Sequence, residues 1–194
     1  LRGVDADEVH PPALRYKKSE LHGGESTSPV ALLALPRPLW CGRGMAEHQN
    51  DPQLIRALLT DPARWAVVGL SSNQAREAYG VARWLQAELG MGLVAVHPKA
   101  ESAHGAPGYP TLSAIPDGTE VAVVDCFVSS EHVGAVVDEA IANQDRLQIR
   151  AVWLQLGVVD EAAAARARAA GVQVVMDACP RIEWPTVAAA GTTR

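Results

Sequence analysis

The amino-acid sequence predicts an α/β protein: a single domain on a doubly wound, parallel, five-stranded sheet with helices on both faces. Three observations predict it. Five short runs of residues are spaced along the chain, each too uniformly apolar for a strand with one wet face. Between them lie stretches with the i, i+3, i+4 apolar spacing of helices, opened by Asn, Asp or Ser and closed by Gly. The first run also passes directly through Gly69-Leu70-Ser71-Ser72 into such a helix, which is the strand, turn and helix opening of a βαβ unit.

Residues 1–44 mix Pro, Gly and charges of both signs without a sustained period of 3.6 or 2.0, so they are expected to be a disordered or non-native N-terminal extension. Lys17-Lys18 is separated from the apolar residues 30–35 by a polar stretch, which argues against a signal peptide. The first Met is Met45, and the regular pattern begins there, so the folded domain is expected to span 45–194.

Asn50-Asp51-Pro52 is a cap followed by Pro at the first helical position, and Leu54, Ile55, Leu58 and Leu59 make one apolar stripe ending near Thr60. The first strand is 65–70. A helix over 79–89 carries Val81, Ala82, Leu85 and Leu89 on one side, with Gly90 as its C-cap. The second strand, 92–96, ends at His97-Pro98, and residues 99–110 read as a Gly/Pro-rich loop, followed by one helical turn at 111–115. The third strand is 121–127, and Ser129-Ser130-Glu131 caps a helix bearing Val133, Val136, Val137 and Ile141. The fourth strand is 149–154. An Ala/Arg-rich helix over 160–170, C-capped by Gly171, leads to the fifth at 172–176. Right-handed crossovers give the expected strand order 3-2-1-4-5, with the site beyond strands one and four.

Composition excludes several classes. The net charge of −5 leaves no cationic footprint for nucleic acid or an anionic membrane, so phosphate binding must be local. No apolar run approaches the roughly 20 residues needed to span a bilayer. Cys41, Cys126 and Cys179 form no C-x-x-C pair, so neither a disulfide framework nor a zinc ribbon is indicated, and a cytoplasmic setting is expected. Cys126 reads as a small buried hydrophobe, and Cys179 as partly accessible.

The strand ends offer the ligand contacts. Gly69 permits a close turn, Ser71 and Ser72 add hydroxyls, and the helix near Tyr79 presents its positive end, an arrangement suited to a pyrophosphate. Arg76 reads either as a phosphate clamp or as a solvated loop cation. The G-x-G-x-x-G turn of dinucleotide-binding folds is absent, and His97-Pro98-Lys99 stands where an acid for the ribose hydroxyls would be. Lys99 favours an anionic group there. His97 is a general base or a packing residue, Asp125 and Asp177 read as caps of turns or helices, and His104 and His132 lack metal-ligand partners at useful spacing.

Val67-Val68-Gly69-Leu70-Ser71 with Tyr79-Gly80-Val81-Ala82, then Val96-His97-Pro98, Val124-Asp125-Cys126-Phe127 with Ser130-Glu131, Val152 to Val158, and Val174-Val175-Met176-Asp177-Ala178-Cys179-Pro180 resemble the small bacterial CoA-binding domain proteins over roughly 51–185. The resemblance implies a Rossmann-like domain like that at the start of the succinyl-CoA synthetase alpha subunit. It implies that Gly69, Leu70, Ser71 and Ser72 form the phosphate turn and that Lys99 is the cation after strand two. Phe127 and Val128 would then flank the nucleotide, with Gln155, Leu156 and Gly157 closing the pocket. Tyr79, Gly80, Arg76, His97 and Pro98 complete the expected coenzyme A or acyl-CoA contacts. The family usually has Phe-Arg-Arg-Ser-Glu and Met-Asp-Arg-Cys-Pro, where this chain has Val128, Ser129 and Ala178 in place of the arginines.

No nucleophile, acid/base pair or metal set accompanies the expected pocket, so the function expected is non-catalytic binding of CoA or acyl-CoA. Two alternatives stay open: an NAD(P)- or other nucleotide-linked enzyme working with a partner, and a partner-binding scaffold that has lost its ligand. A protein partner or a homo-oligomer is compatible with each.

Overall fold

A computed structural model of the chain describes residues 48–191; the expected extension over 1–44 lies outside the described residues. The elements are α1 (Pro52–Thr60), β1 (Arg64–Val68), α2 (Glu77–Leu89), β2 (Gly92–Val96), β3 (Gly108–Tyr109) and β4 (Val123–Cys126). They continue with α3 (Ser130–Ala142), α4 (Gln144–Leu147), β5 (Ala151–Leu154), α5 (Glu161–Ala169), β6 (Gln173–Val175) and α6 (Pro180–Gly191).

The sheet is wholly parallel, in the order β3-β2-β1-β4-β5-β6. This corrects the sequence reading in two respects. A sixth strand, Gly108–Tyr109, forms inside the segment read as a loop and takes the outer edge of β2, where Ala95 N–H donates to Pro107 O and His97 N–H to Tyr109 O, both at 3.0 Å. With that edge occupied, the third predicted strand pairs instead with β1, in the register Trp65↔Val123 to Val68↔Cys126. The order therefore reverses between β1 and β4, the first and third predicted strands, and a ligand crevice opens there.

Period-2 alternation assigns the two faces. Trp65 and Val67 join Trp153, Val175 and the buried sides of α1, α2 and α6, whereas Ala66 and Val68 join Val124, Val152, Val174 and the buried sides of α3 and α5. Trp65 and Trp153 pack at a ring separation of 5.6 Å, and Trp153 Nε1 donates to Ala178 O at 2.8 Å, tying β5 to the segment after β6.

The helix ends follow local chemistry. Asp51 accepts from Gln53 N–H at 2.8 Å and Asp160 from Ala163 N–H at 2.9 Å, the side-chain caps that supply acceptors for otherwise orphan donors. Gly90 ends α2 at φ +66°. Ser129 holds the cap position of α3, but its hydroxyl pairs with His132 Nδ1 at 2.8 Å rather than with the helix backbone. Helix α5 stops at Ala169 with Ala170 as its cap, one residue before the expected Gly171, and residues 111–115 form a turn without a helix. The terminal helix α6, not foreseen from the sequence, packs on α1 and α2.

Candidate functional site

The crevice is built by one glycine. Gly69 follows β1 at φ +98°, donates its N–H to Val96 O at 2.8 Å, and has no side chain where a Cβ would stand 2.8 Å from Phe127 O and 3.1 Å from Phe127 Cβ. The turn after β1 therefore lies directly against the turn after β4, and Phe127 N–H closes the contact on Val68 O at 2.8 Å. Any larger residue at 69 would push the two turns apart.

Beside this contact lies a cavity of about 780 Å³ at the carboxyl ends of β1, β2 and β4. It brings together Gly69, Ser71, Ser72, Arg76, His97, Pro98, Lys99, Phe127 and Val128. Ser71 Oγ accepts from Asn73 N–H at 3.4 Å, and Asn73 Oδ1 accepts from Ala75 N–H at 3.0 Å, so the chain winds into α2 through a local polar turn. Arg76 sits at the N-cap of α2, exposed, with no side-chain partner among the described residues. His97 lines the cavity while its Nδ1 accepts from Lys99 N–H at 3.3 Å, which commits that nitrogen to the local turn.

The remaining expected contacts lie elsewhere. The Leu70 side chain is fully buried in the core, and Gly80 is on the exposed side of α2 with open space around it. The Tyr79 ring packs against His104 at a centroid distance of 4.0 Å, tilted by 48°, and the Tyr79 carbonyl pairs with His104 Nε2 at 2.9 Å. Gly157 turns at φ +78° and donates its N–H to Asp177 Oδ1 at 2.6 Å, so Asp177, itself at φ +52°, holds a turn as expected.

Gln155 lines a second, more apolar groove of about 390 Å³ that shares Phe127 and Val128 with the cavity and is walled by Val81, Leu156, Val158, Cys179 and Ile182. Leu156 and Ile182 are each 61% exposed, the most exposed large apolar side chains among the described residues. Beneath the groove, Asp125 is wholly buried in register with Val67 and Trp153, and it caps nothing, contrary to expectation. Its Oδ1 accepts from Gln155 Nε2 at 2.7 Å and its Oδ2 has no partner among the described residues. Burial pushes its pKa up to about 7, opposed by the Gln155 hydrogen bond. Burial, with the charge of Asp125, also pushes the Cys126 thiol upward and leaves it as core packing.

Two charged cavity residues escape the sequence reading, Glu101 and Glu139. Glu101 Oε2 accepts from Ser72 N–H at 3.1 Å and from Ser72 Oγ at 2.5 Å, and these bonds, with Lys99 and His97 nearby, hold its carboxyl below the usual range. The available signal is an acid two residues beyond Lys99, past the position where the dinucleotide pattern places one. Glu139 Oε1 is held by Ser113 N–H and Oγ at 2.9 and 2.7 Å. Among the described residues no group of three or more His, Cys, Asp or Glu could hold a metal ion, and no helix is long and apolar enough to cross a membrane. A further cavity of about 610 Å³ at the amino ends of the strands has its cations engaged: Arg150 pairs with Asp61 at 3.1 Å, and Arg64 donates to Glu120 O at 3.2 Å.

A doubly wound parallel sheet with a glycine turn and an open crevice at its reversal point is the Rossmann-like class of α/β domain. Within that class, the chain belongs to the CoA binding domain family, whose profile matches residues 63–185. It is 30% identical over 128 residues, 66% of this chain and 90% of the relative, to the uncharacterized protein YneT of Bacillus subtilis (strain 168). Among solved structures it is similar to Prb, described as the PH1109 protein redesigned for binding, at 29% identity and a TM-score of 0.64, covering 75% of this chain and 98% of that one. The fold also recurs in the dinucleotide forming acetyl-coenzyme A synthetase 1 of Ca. Korarchaeum cryptofilum, at 21% identity and a TM-score of 0.51, covering 63% of this chain and 28% of that one.

Proposed function

We propose that the chain binds coenzyme A or an acyl-CoA without transforming it, with the nucleotide in the cavity at the carboxyl ends of β1, β2 and β4. The observation that carries this reading is the Gly69–Ser72 turn pressed against Phe127 at the sheet's reversal point, with the Arg76 guanidinium at its edge. Ser72, Arg76 and Lys99 would bind the phosphates, and the Phe127 ring would border the adenosine or the pantetheine arm. The arm would cross Phe127 and Val128 into the apolar groove, which has room for its thiol or thioester end beside Gln155. Membership of the CoA binding domain family supports the ligand class.

The non-catalytic part of the reading is supported by the site's own groups. His97 spends one nitrogen on its own turn, and Glu139 is tied to Ser113. The free thiols of Cys126 and Cys179 suit a reducing compartment such as the cytoplasm.

The test is thermal denaturation with CoA, acetyl-CoA, dephospho-CoA and NADPH. A ligand at a hundredfold excess over Kd stabilises the fold by about 2.7 kcal/mol, a shift of several degrees for a domain of this size. A shift with the CoA compounds supports the reading. A shift with NADPH alone would move it to a nucleotide-linked enzyme, and no shift with any of them would leave a scaffold without a ligand.

A further inference from the structure

We infer that Glu101 is an internal competitor for the phosphate seat, so that the nucleotide binds only by displacing the Glu101 carboxylate from Ser72. The inference rests on the proposed CoA site and adds a residue that sets its affinity and selectivity.

Ser72 offers the turn a backbone N–H and a hydroxyl, two donors a phosphate oxygen would take, and both already point at Glu101 Oε2, at 3.1 and 2.5 Å. The other carboxylate oxygen lies 3.9 Å from Lys99 Nζ, so one of the site's two candidate phosphate cations is engaged as well. Glu101 thus stands in for a bound anion.

This is not a surface glutamate that has met a serine by chance. Its backbone is fixed from behind: a Cβ on Gly108 would stand 2.2 Å from Glu101 O and 2.6 Å from Ala100 O, so only glycine lets β3 pass there. Ala100 is held at φ +51° and His104 at φ +53°, and an Ala103–Ala106 bridge closes the loop on itself. Strained backbone of this kind persists where the surroundings over-determine it. The loop therefore delivers the carboxylate to the phosphate turn, and only the side chain has to turn away. The Ser72 bonds also hold its pKa below the usual carboxylate range.

Charge makes the two anions mutually exclusive. The cavity holds Arg76 and Lys99 against Glu101 and Glu139, a charge balance that opposes a ligand bearing several phosphate charges. Like charges at hydrogen-bond distance are not tolerated, so Glu101 leaves when phosphate enters. The cost falls on phosphate-bearing ligands and spares the neutral pantetheine fragment.

The test is calorimetric titration of the wild-type chain, Glu101→Gln and Glu101→Ala with CoA and with pantetheine. Both variants should bind CoA more tightly than wild type, by about tenfold, the scale of one charge-assisted contact, with pantetheine binding unchanged. Glu101→Gln retains the side-chain shape, so its melting temperature shows that the loop still forms. Equal CoA affinity in all three proteins would overturn the inference and leave the CoA reading standing. Weaker binding in Glu101→Ala would overturn it by making Glu101 a direct ligand contact. No CoA binding by any of the three would overturn both.

Discussion

Replacing Asp125 by Asn should remove a pH dependence of stability that the wild-type chain owes to one buried carboxyl. Asp125 is fully buried, with one oxygen on Gln155 Nε2 and the other without a partner among the described residues, and burial raises its pKa from 3.8 to about 7 in the folded state. The folded state thus holds the proton more tightly than the unfolded chain. Its contribution is most favourable below pH 4, is lost as pH rises, and reaches its full cost above pH 7. At about 1.4 kcal/mol per tenfold change in proton affinity, the full cost is about 4 kcal/mol. Between pH 6 and pH 8 the difference is about 1.4 kcal/mol, which is roughly 3–6 °C in Tm for a domain of this size. Asn keeps the acceptor for Gln155 and cannot ionise, though its buried amide hydrogens offset part of the gain. The assay is urea and thermal denaturation of both proteins at pH 6 and pH 8. Wild type should gain stability on acidification relative to Asp125→Asn, and the comparison cancels the histidines common to both. Parallel pH profiles would refute the reasoning, because they would mean that the carboxyl is solvated or paired.

Three further outcomes are expected. Gly69→Ala should destabilise the fold by roughly 1–3 kcal/mol, since φ +98° and the 2.8 Å approach to Phe127 O leave no place for a methyl group, and ligand binding should fall with it; an unchanged melting curve would contradict this. Arg76→Ala should weaken CoA binding roughly ten- to a hundredfold while leaving stability within about 0.5 kcal/mol, because the guanidinium has no partner among the described residues; calorimetry with a melting curve checks both halves. If the groove takes the acyl end, octanoyl-CoA should bind more tightly than CoA to the wild-type chain, and the double variant Leu156→Ser, Ile182→Ser should lose that preference without losing CoA; equal preferences in the two proteins would exclude the groove.

The features legible in the sequence are those that local chemistry decides. The run from Trp65 through Gly69 to Ser72 announces strand, turn and helix because uniform apolarity, a glycine and a cap sequence are all local signals. The Asp51 cap and the Gly90 terminus follow for the same reason. Strand β3 is hidden because two residues carry no periodicity, and because Gly108 matters through the carbonyl of Glu101, a contact made only once the loop has folded back. Without β3, nothing in the sequence says that the edge of β2 is filled, and the third predicted strand falls on the wrong side of the first. Asp125 looks like a turn residue from its place near a strand end, but register sets it between Val67 and Trp153 in the interior. Glu101 lies beyond the strand end where an acid is sought, and only the path of the loop brings it to Ser72.

The most direct measurement is a crystal structure of the chain grown with CoA. CoA phosphate oxygens should lie within hydrogen-bond distance of Ser72 N–H and Oγ, with the Arg76 side chain on the phosphates and the Glu101 carboxylate turned out of the seat. Saturating CoA with the cavity empty and Glu101 still on Ser72 would contradict the proposed site, as would CoA bound at the amino ends of the strands.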